Sequence, residues 1–254
     1  MEAGATAYLG GMQPPGSLVD RYKPQSLDDM ILSPKHNLAL SFQFHRSPYP
    51  EAFLAHGRPG LGKTTLANIL AKRASHPLCI SRFCGPDLNS DTIRQIGARF
   101  GTPPLYGGLY SIIVNEADKI PQLAQIRLLD LLDRLKELSL VMFFTSNEEL
   151  SDFESRFLSR VKSQPFTSQG LAPRAVDWLV KIAAVENIPL SRREAARVVK
   201  NSHNNLRACL QELELRGAEH MVMAPTSLPD APAPKDTVPT SGKAVANNRQ
   251  TAAF

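Results

Sequence analysis

The chain has 254 residues, 43% of them hydrophobic, and a formal net charge of +5 at pH 7. That apolar content predicts one or two packed domains, and so mild a charge permits a nucleic-acid partner without arguing for one. The three irregularly spaced cysteines are too few for a disulfide framework or a four-ligand zinc site, and no apolar run approaches the ~20 residues that span a bilayer. We therefore expect a cytoplasmic or nucleoid-associated chain with no membrane partner.

Composition and periodicity divide the chain into four predicted segments. Residues 1–16 are rich in Gly, Ala and Pro without periodicity, which predicts a flexible arm. Across residues 17–169 short apolar runs alternate with helix-period stretches, which predicts an α/β domain with a parallel five-stranded sheet flanked by helices. The strand signal vanishes over residues 170–218, where we predict a small three-helix domain. Residues 219–254 repeat Pro, Ala, Thr and Ser, so we expect a disordered tail.

Individual elements follow from the same patterns. The predicted strands are 53–56, 78–82, 111–115, 140–145 and 161–166. In the helical domain Ser191 and Glu194 predict a capping box, and the last helix is predicted to end at Gly217. The clearest helix follows Pro121, and we predict that its apolar side is formed by Leu123, Ile126, Leu129, Leu132 and Leu135.

Residues 57–65 read GRPGLGKTT, which satisfies the phosphate-binding pattern G-x-x-x-x-G-K-[ST] between a predicted strand and a predicted helix. The glycines allow a tight turn that aims backbone N–H groups at phosphate oxygens, and the helix adds its positive dipole end. Lys63 is expected to meet the β and γ phosphates, and the Thr64 hydroxyl is expected to ligate Mg²⁺. We therefore predict ATP and Mg²⁺ as cofactors, bound by Gly57, Arg58, Pro59, Gly60, Leu61, Gly62, Lys63, Thr64 and Thr65.

The run SIIVNEAD ends a predicted buried strand in polar residues. P-loop ATPases place an Asp there that helps to hold magnesium, followed by a Glu that polarises the attacking water. Here Glu116 is present, but Asn115 stands in the place of the Asp. An amide carries no charge, so we expect weaker magnesium affinity or slower turnover rather than a loss of nucleotide binding. The alternative for Glu116 is a solvated loop carboxylate.

Taken together, an ordered set of motifs across residues 18–217 resembles the small subunits of replication factor C and related AAA+ clamp loaders. The motifs are LVDRYKPQSLDDMI, the P-loop, CGPDLNSDTIRQI, NEADKIPQLAQ, FFTSN, FLSRV and NNLR. The sequence departs from the family pattern at Asn115, at Val161 in place of a Cys, and at Asn204 and Asn205 in place of Gly-Asp. The resemblance implies the AAA+ fold, ATP hydrolysis and assembly with other AAA+ subunits.

The resemblance also implies roles for single residues. Val19 and Lys23, with Ile31 nearby, would contact the adenine and ribose. Asn147 would be sensor 1, which helps to place the attacking water, although an Asn that caps the following turn is the alternative. Arg207 would be sensor 2, reaching the γ-phosphate of its own subunit, and a surface arginine is the alternative there.

Arg160 in FLSRV would be the arginine finger, presented to ATP in the next subunit. A guanidinium suits this task because it stays charged and forks onto phosphate oxygens. Arg156, in SRF, is a competing candidate. The family continues after its lid, which corresponds to the three-helix domain at residues 170–218, into a helical collar. Here we expect only the tail, so oligomerisation would rest on the surfaces of the ATPase domain and the lid or on a partner protein.

The leading functional hypothesis is an ATP-driven, clamp-loader-like switch in DNA replication, with DNA and a sliding clamp or another replication protein as partners. By family analogy Arg94 and Arg99 would contact DNA phosphates, and an ordinary solvated helix is the alternative. Another AAA+ loader or motor, such as a helicase loader, a branch-migration motor or a plasmid or phage replication ATPase, is a second hypothesis. A third is a structural nucleotide-binding subunit whose hydrolysis is blunted by Asn115.

Overall fold

The computed structural model describes residues 16–33, 50–148 and 150–223. The strands are β1 (Ala52–Gly57), β2 (Ile80–Cys84), β3 (Tyr110–Asn115), β4 (Leu140–Ser146) and β5 (Lys162–Phe166). The α-helices are α1 (Leu18–Arg21), α2 (Lys63–Ala74), α3 (Ser90–Arg99), α4 (Gln122–Asp133), α5 (Ser155–Leu158), α6 (Ala172–Val185), α7 (Arg192–Asn201) and α8 (Leu206–Met223). Short 3₁₀ helices cover Pro77–Cys79, Gly85–Asp87, Ala117–Lys119 and Leu150–Asp152.

The five strands form one parallel sheet in the order β2-β3-β4-β1-β5. All seven residues of β4, the central strand, are buried. A parallel strand buried on both sides reads as a continuous apolar run, which is why Leu140–Ser146 begins with five apolar residues. The predicted fold class, a parallel five-stranded sheet flanked by helices, is confirmed.

Alternation along the strands creates two separate cores. Ile112 and Val114 of β3 point to the face that α3 and α4 cover, whereas Ile113 points to the opposite face, covered by α2. On β4, Val141 and Phe143 share the α2 face. Because these strands are parallel, the carboxyl ends of β1, β3 and β4 lie at the same end of the sheet, beside the start of α2.

The three helices that follow the sheet share a third core, and the N-terminal segment completes it. Leu18 of α1 is buried among the residues of α6, α7 and α8, and its backbone N–H donates to Glu214 Oε1 of α8 (3.2 Å). Further along the same segment, Met30 and Leu32 belong to the core on the α2 face of the sheet. One short stretch of chain thus packs against both the helical domain and the sheet domain, which the sequence analysis did not predict.

The apolar side predicted for α4 is wrong at its first two positions, whereas Leu132 and Leu135 are buried as predicted. Leu123 is 66% exposed and Ile126 is 44% exposed, although the helix itself begins at Gln122, directly after Pro121 as predicted. Residues three apart drift about 60° around an α-helix at each step, so a run with that spacing cannot stay on one face. The buried side also includes Ala124, Leu128 and Leu131, which the prediction missed and which are separated by steps of four and three.

Two element ends also differ from the predictions. The last helix does not end at Gly217 but continues to Met223, and a Cβ at Gly217 would lie 2.8 Å from Ile188 Cδ1. This glycine therefore permits close packing rather than a helix end. Strand β2 begins two residues later than predicted because Pro77 starts a 3₁₀ turn. The predicted capping box of Ser191 and Glu194 is confirmed.

Several predictions concern segments outside the described residues. Most of the predicted arm (residues 1–15) and residues 224–254 of the predicted tail lie there. Contacts place the sheet and the helical domain in one compact unit that ends at Val222, so the boundary predicted between residues 169 and 170 stays a prediction. No helix within residues 16–33, 50–148 and 150–223 is long and apolar enough to cross a bilayer.

Candidate nucleotide-binding site

The loop between β1 and α2 turns sharply at two glycines. Gly60 and Gly62 have φ of +78° and +93°, a region that other residues rarely adopt. Helix α2 begins at Lys63, and the first backbone N–H groups of a helix have no partner within it. These N–H groups and the helix dipole favour an anion at this position, as the P-loop motif predicts.

Lys63 is buried inside this loop, with its ammonium group on the loop's own carbonyl oxygens. Nζ donates to Gly57 O (2.6 Å) and to Arg58 O (2.7 Å). Burial lowers the pKa of Lys63 from 10.5 to about 8; Asp118 opposes this shift, and the positive charge of Arg207 adds to it. A bound phosphate would compete with the two carbonyls for the ammonium group and would raise its pKa.

The hydroxyl of Thr64 reaches the end of β3. Thr64 Oγ1 donates to Asn115 Oδ1 (3.2 Å), and Thr145 Oγ1 on β4 donates to the same oxygen (3.1 Å). Within the described part of the chain no group of three or more His, Cys, Asp or Glu could hold a metal ion. The donor set at this position is a hydroxyl and an amide oxygen, which are oxygen ligands of the kind that Mg²⁺ accepts alongside phosphates and water. Thr64 and Asn115 therefore fit the predicted metal.

Glu116 directly follows β3 and has a left-handed backbone (φ +53°). Its Oε2 accepts from Lys119 Nζ at 2.7 Å, and both side chains are partly exposed. Water screens an ion pair this exposed, so the pair contributes little and does not lock the carboxylate in place. The geometry leaves Glu116 at the pocket with a carboxylate that a small rearrangement can release.

Asn147 and Arg207 complete the polar end of the site. Asn147 follows β4, and its backbone N–H donates to Asp118 Oδ1 (3.3 Å), which ties the end of β4 to the loop after β3. Arg207 lies in the first turn of α8 and is exposed toward the same pocket. Just before it, Leu206 N donates to Gly60 O (3.3 Å), so the helical domain touches the phosphate loop directly.

Most of these groups line one cavity of about 550 Å³. It also collects the predicted adenine and ribose contacts Val19, Lys23 and Ile31, together with loop residues 59–65. Sequence reasoning missed the part of its wall formed by Asp20, Tyr22, Pro24, Asp29, Met30, Thr145, Trp178, Leu206 and Leu210. Trp178 and Leu210 come from the helical domain, and no local motif marks them. Thr145 could have been found, because it lies two residues before Asn147 in a buried strand.

Two predicted loop residues lie outside this cavity. Gly57 and Arg58 contribute the carbonyl oxygens that hold Lys63. The Arg58 residue borders a second cavity of about 440 Å³, whose other walls come from α6, α7 and the turn after α7. A direct contact of the Arg58 side chain with the nucleotide therefore has no support from the geometry.

The two arginine-finger candidates lie apart from their own chain's cavity, around α4 and α5. Arg160 makes a bidentate ion pair with Asp133, the last residue of α4 (Nε to Oδ1 2.8 Å, Nη2 to Oδ2 3.0 Å). Its Nη1 also donates to Arg156 O (3.0 Å). Arg156 is more exposed and makes an ion pair with Glu154 (2.8 Å). Neither arginine lines the cavity of its own chain, so its predicted role as an arginine finger requires a nucleotide bound to a second subunit.

The proposed DNA contacts lie on the exposed side of α3. Arg94 makes an ion pair with Asp91 in the preceding turn (3.1 Å), and the Arg99 guanidinium lies 5.8 Å from the centre of the Phe100 ring. Neither residue borders the nucleotide cavity. Their predicted contact with DNA phosphates concerns a separate surface and stays a prediction.

Comparisons with known proteins agree with this geometry. Residues 53–168 match the ATPase family associated with various cellular activities (AAA). No curated protein sequence matches the chain significantly.

Among solved structures, the RuvB Holliday junction branch migration motor of Thermotoga maritima is similar, with a TM-score of 0.60 and 18% identity over 80% of this chain and 68% of that chain. Two single-residue variants of that motor are similar with the same coverage. One, with an arginine replaced by alanine, gives a TM-score of 0.62 at 18% identity, and the other, with a lysine replaced by arginine, gives 0.61 at 17% identity. At this level of identity the likeness concerns the fold alone. Residues 53–168 of this chain therefore match the AAA family, and the described part of the chain has the fold seen in RuvB.

Proposed function

We propose that this chain binds ATP with Mg²⁺ and hydrolyses it as one subunit of an AAA+ assembly that acts on DNA in a clamp-loader-like manner. One observation carries the nucleotide part of the proposal. A single cavity collects Lys63 and Thr64 from the start of α2, Asn115, Glu116 and Asn147 from the ends of β3 and β4, and Arg207 from the helical domain. This is the set that phosphoryl transfer requires: positive charge at the phosphates, a metal position, a carboxylate for water and a sensor amide.

Each residue of this cavity has a separate role in the proposed reaction. The loop N–H groups and Lys63 would hold the phosphates, and Thr64 with Asn115 would hold Mg²⁺, which supplies charge neutralisation at the phosphate oxygens. Glu116 would orient water once its contact with Lys119 opens, and Asn147 and Arg207 would approach the γ-phosphate. Val19, Ile31 and Trp178 offer apolar surface for the base.

Binding of a fluorescent ATP analogue tests the nucleotide site. We expect Lys63→Met to abolish binding, because the charge at the phosphates is lost, while Lys72→Met, the same change on the exposed side of α2, retains it. If Lys63→Met binds as the wild type does, the nucleotide does not occupy this loop.

The DNA and clamp-loader parts rest on the motif resemblance and need tests of their own. Light scattering with a non-hydrolysable ATP analogue, with and without DNA and a sliding clamp, measures whether subunits assemble and whether assembly needs DNA or the clamp.

Charge reversal of Arg94 and Arg99 should lower DNA affinity and its salt dependence. Unchanged affinity would reject these contacts. Mixing Lys63→Met chains with Arg160→Ala or with Arg156→Ala chains identifies which arginine acts between subunits.

A second candidate function is a nucleotide-binding subunit with little hydrolysis of its own. Two observations favour it: Asn115 brings no charge to the metal position, and the Glu116 carboxylate is engaged by Lys119. Phosphate release by the wild type, Asn115→Asp and Glu116→Gln distinguishes the two functions. A wild-type rate that Glu116→Gln does not lower, with nucleotide still bound, favours the structural subunit.

A further inference from the structure

The neutral residue at the metal position raises a problem of orientation. The carboxylate of an Asp has two equivalent oxygens, whereas the side chain of Asn115 has an oxygen at one end and an NH₂ group at the other. If Thr64 is to offer a lone pair to a cation, its proton must go to an acceptor. Only the Oδ1 end of Asn115 can take that proton, so the amide must be held with its oxygen toward Thr64.

The sheet places a second hydroxyl beside this amide. Ile113 and Asn115 are two residues apart on β3, and Phe143 and Thr145 are two residues apart on β4, so each pair points to the same face. Ile113 and Phe143 belong to the core on the α2 face. Asn115 and Thr145 therefore emerge side by side where α2 begins.

Thr145 is 3% exposed, and its hydroxyl donates to Asn115 Oδ1 at 3.1 Å. Thr64 donates to the same oxygen at 3.2 Å. The two hydroxyls thus approach Oδ1 from two different elements, β4 and α2. Turning the amide over would make both hydroxyls acceptors of its NH₂ group, and the proton of the buried Thr145 hydroxyl would then lose Oδ1 as its acceptor.

We propose that Thr145 is a positioning residue that holds the oxygen of Asn115 toward Thr64, and so lets a neutral amide serve in the Mg²⁺–nucleotide site. The proposal rests on the nucleotide site proposed above. It assigns Thr145 no contact with the nucleotide itself. Its effect should therefore appear only when Mg²⁺ is present.

The test compares the affinity for a fluorescent ATP analogue in Mg²⁺ and in EDTA. We expect Thr145→Val, which keeps the shape of the side chain, to weaken binding in Mg²⁺ roughly three- to tenfold, as expected for one lost neutral hydrogen bond, and to leave binding in EDTA unchanged. Thr145→Ser should restore the wild-type ratio. Thr145→Ala serves the same purpose as Thr145→Val should the valine variant misfold.

A second background separates positioning from a structural effect. In Asn115→Asp the two oxygens are equivalent, so adding Thr145→Val should leave the ratio between Mg²⁺ and EDTA within about twofold of the single variant. An equal loss in both backgrounds, an equal loss in Mg²⁺ and EDTA, or no loss at all would each overturn the role of Thr145. Wild-type protein that binds no nucleotide in either condition would instead overturn the proposed function, and the inference with it.

Discussion

Replacing Glu186 by Gln tests how the N-terminal segment is held against the helical domain. Glu186 follows α6 and is 8% exposed, and it accepts from Arg21 Nη2 (2.6 Å) and from Tyr22 Oη (2.5 Å). Glutamine keeps the shape but removes the negative charge. The guanidinium of Arg21, whose side chain is 17% exposed and whose Nε has no hydrogen-bond partner, is then left buried without a counter-charge.

Removing one partner of a buried ion pair costs about 3–5 kcal/mol, and the residual exposure of Arg21 argues for the lower end, about 3 kcal/mol. For a domain of this size that corresponds to a fall in Tm of roughly 6–12 °C. The matched control is Glu212→Gln in α8, where the partner Arg216 lies 3.3 Å away and the side chains of Glu212 and Arg216 are 46% and 35% exposed, against 6% and 17% for Glu186 and Arg21. There we expect a change of less than about 0.5 kcal/mol.

The same variant makes a prediction about pH. Burial, and then the hydrogen bond to Glu186, raise the pKa of Tyr22 from 10.0 to about 12. Because the pKa is raised in the folded state, the stability that this group contributes is complete below pH 10 and is lost as the pH rises from 10 to 12. Glu186→Gln should reduce that loss, and Tyr22→Phe should abolish it. Thermal unfolding of the three variants measures both effects. Equal Tm values for Glu186→Gln and Glu212→Gln would refute the reasoning.

Two further outcomes follow from the loop. A Cβ at Gly60 would lie 1.8 Å from Asn205 Oδ1 at a backbone φ of +78°. Gly60→Ala should therefore push the Asn205 side chain away from Ala208 N, which it caps in the first turn of α8, and weaken nucleotide binding about tenfold, as measured by titration. Gly107→Ala, at φ +71° with nothing within 4 Å of the added Cβ, is the control for strain alone. The pKa of Lys63 without nucleotide is about 8, and a bound phosphate raises it. ATP affinity should therefore fall above pH 8, and ATP binding at that pH should take up a proton. Calorimetry in buffers of different ionisation enthalpy detects that proton, and an uptake that persists in Lys63→Met would contradict the assignment.

Several features of the site were predictable because they depend on local chemistry. The phosphate loop requires glycines at positive φ followed by a helix start, and both requirements appear in nine consecutive residues. The strands were predictable from short apolar runs, and the second helix of the helical domain from its capping box. Asn115 and Glu116 were predictable as polar residues at the end of a buried strand.

The failures also have a physical cause. Along α4, leucine and isoleucine occur at three-residue spacing, but burial also follows Ala124, Leu128 and Leu131, which are separated by steps of four and three. Gly217 resembles a helix end in sequence, yet tertiary packing against Ile188 explains it.

The sequence by itself determined the phosphate loop, the alternation of strands and helices that is typical of a parallel sheet, and the polar residues at the strand ends. Each of these features depends on neighbours along the chain. Only the tertiary structure decided that Thr145 shares the oxygen of Asn115, that Asp133 holds Arg160, and that Glu186 holds the N-terminal segment. These contacts join residues 27 to 165 positions apart. Their formation depends on how the sheet and the helices pack, which no local pattern specifies.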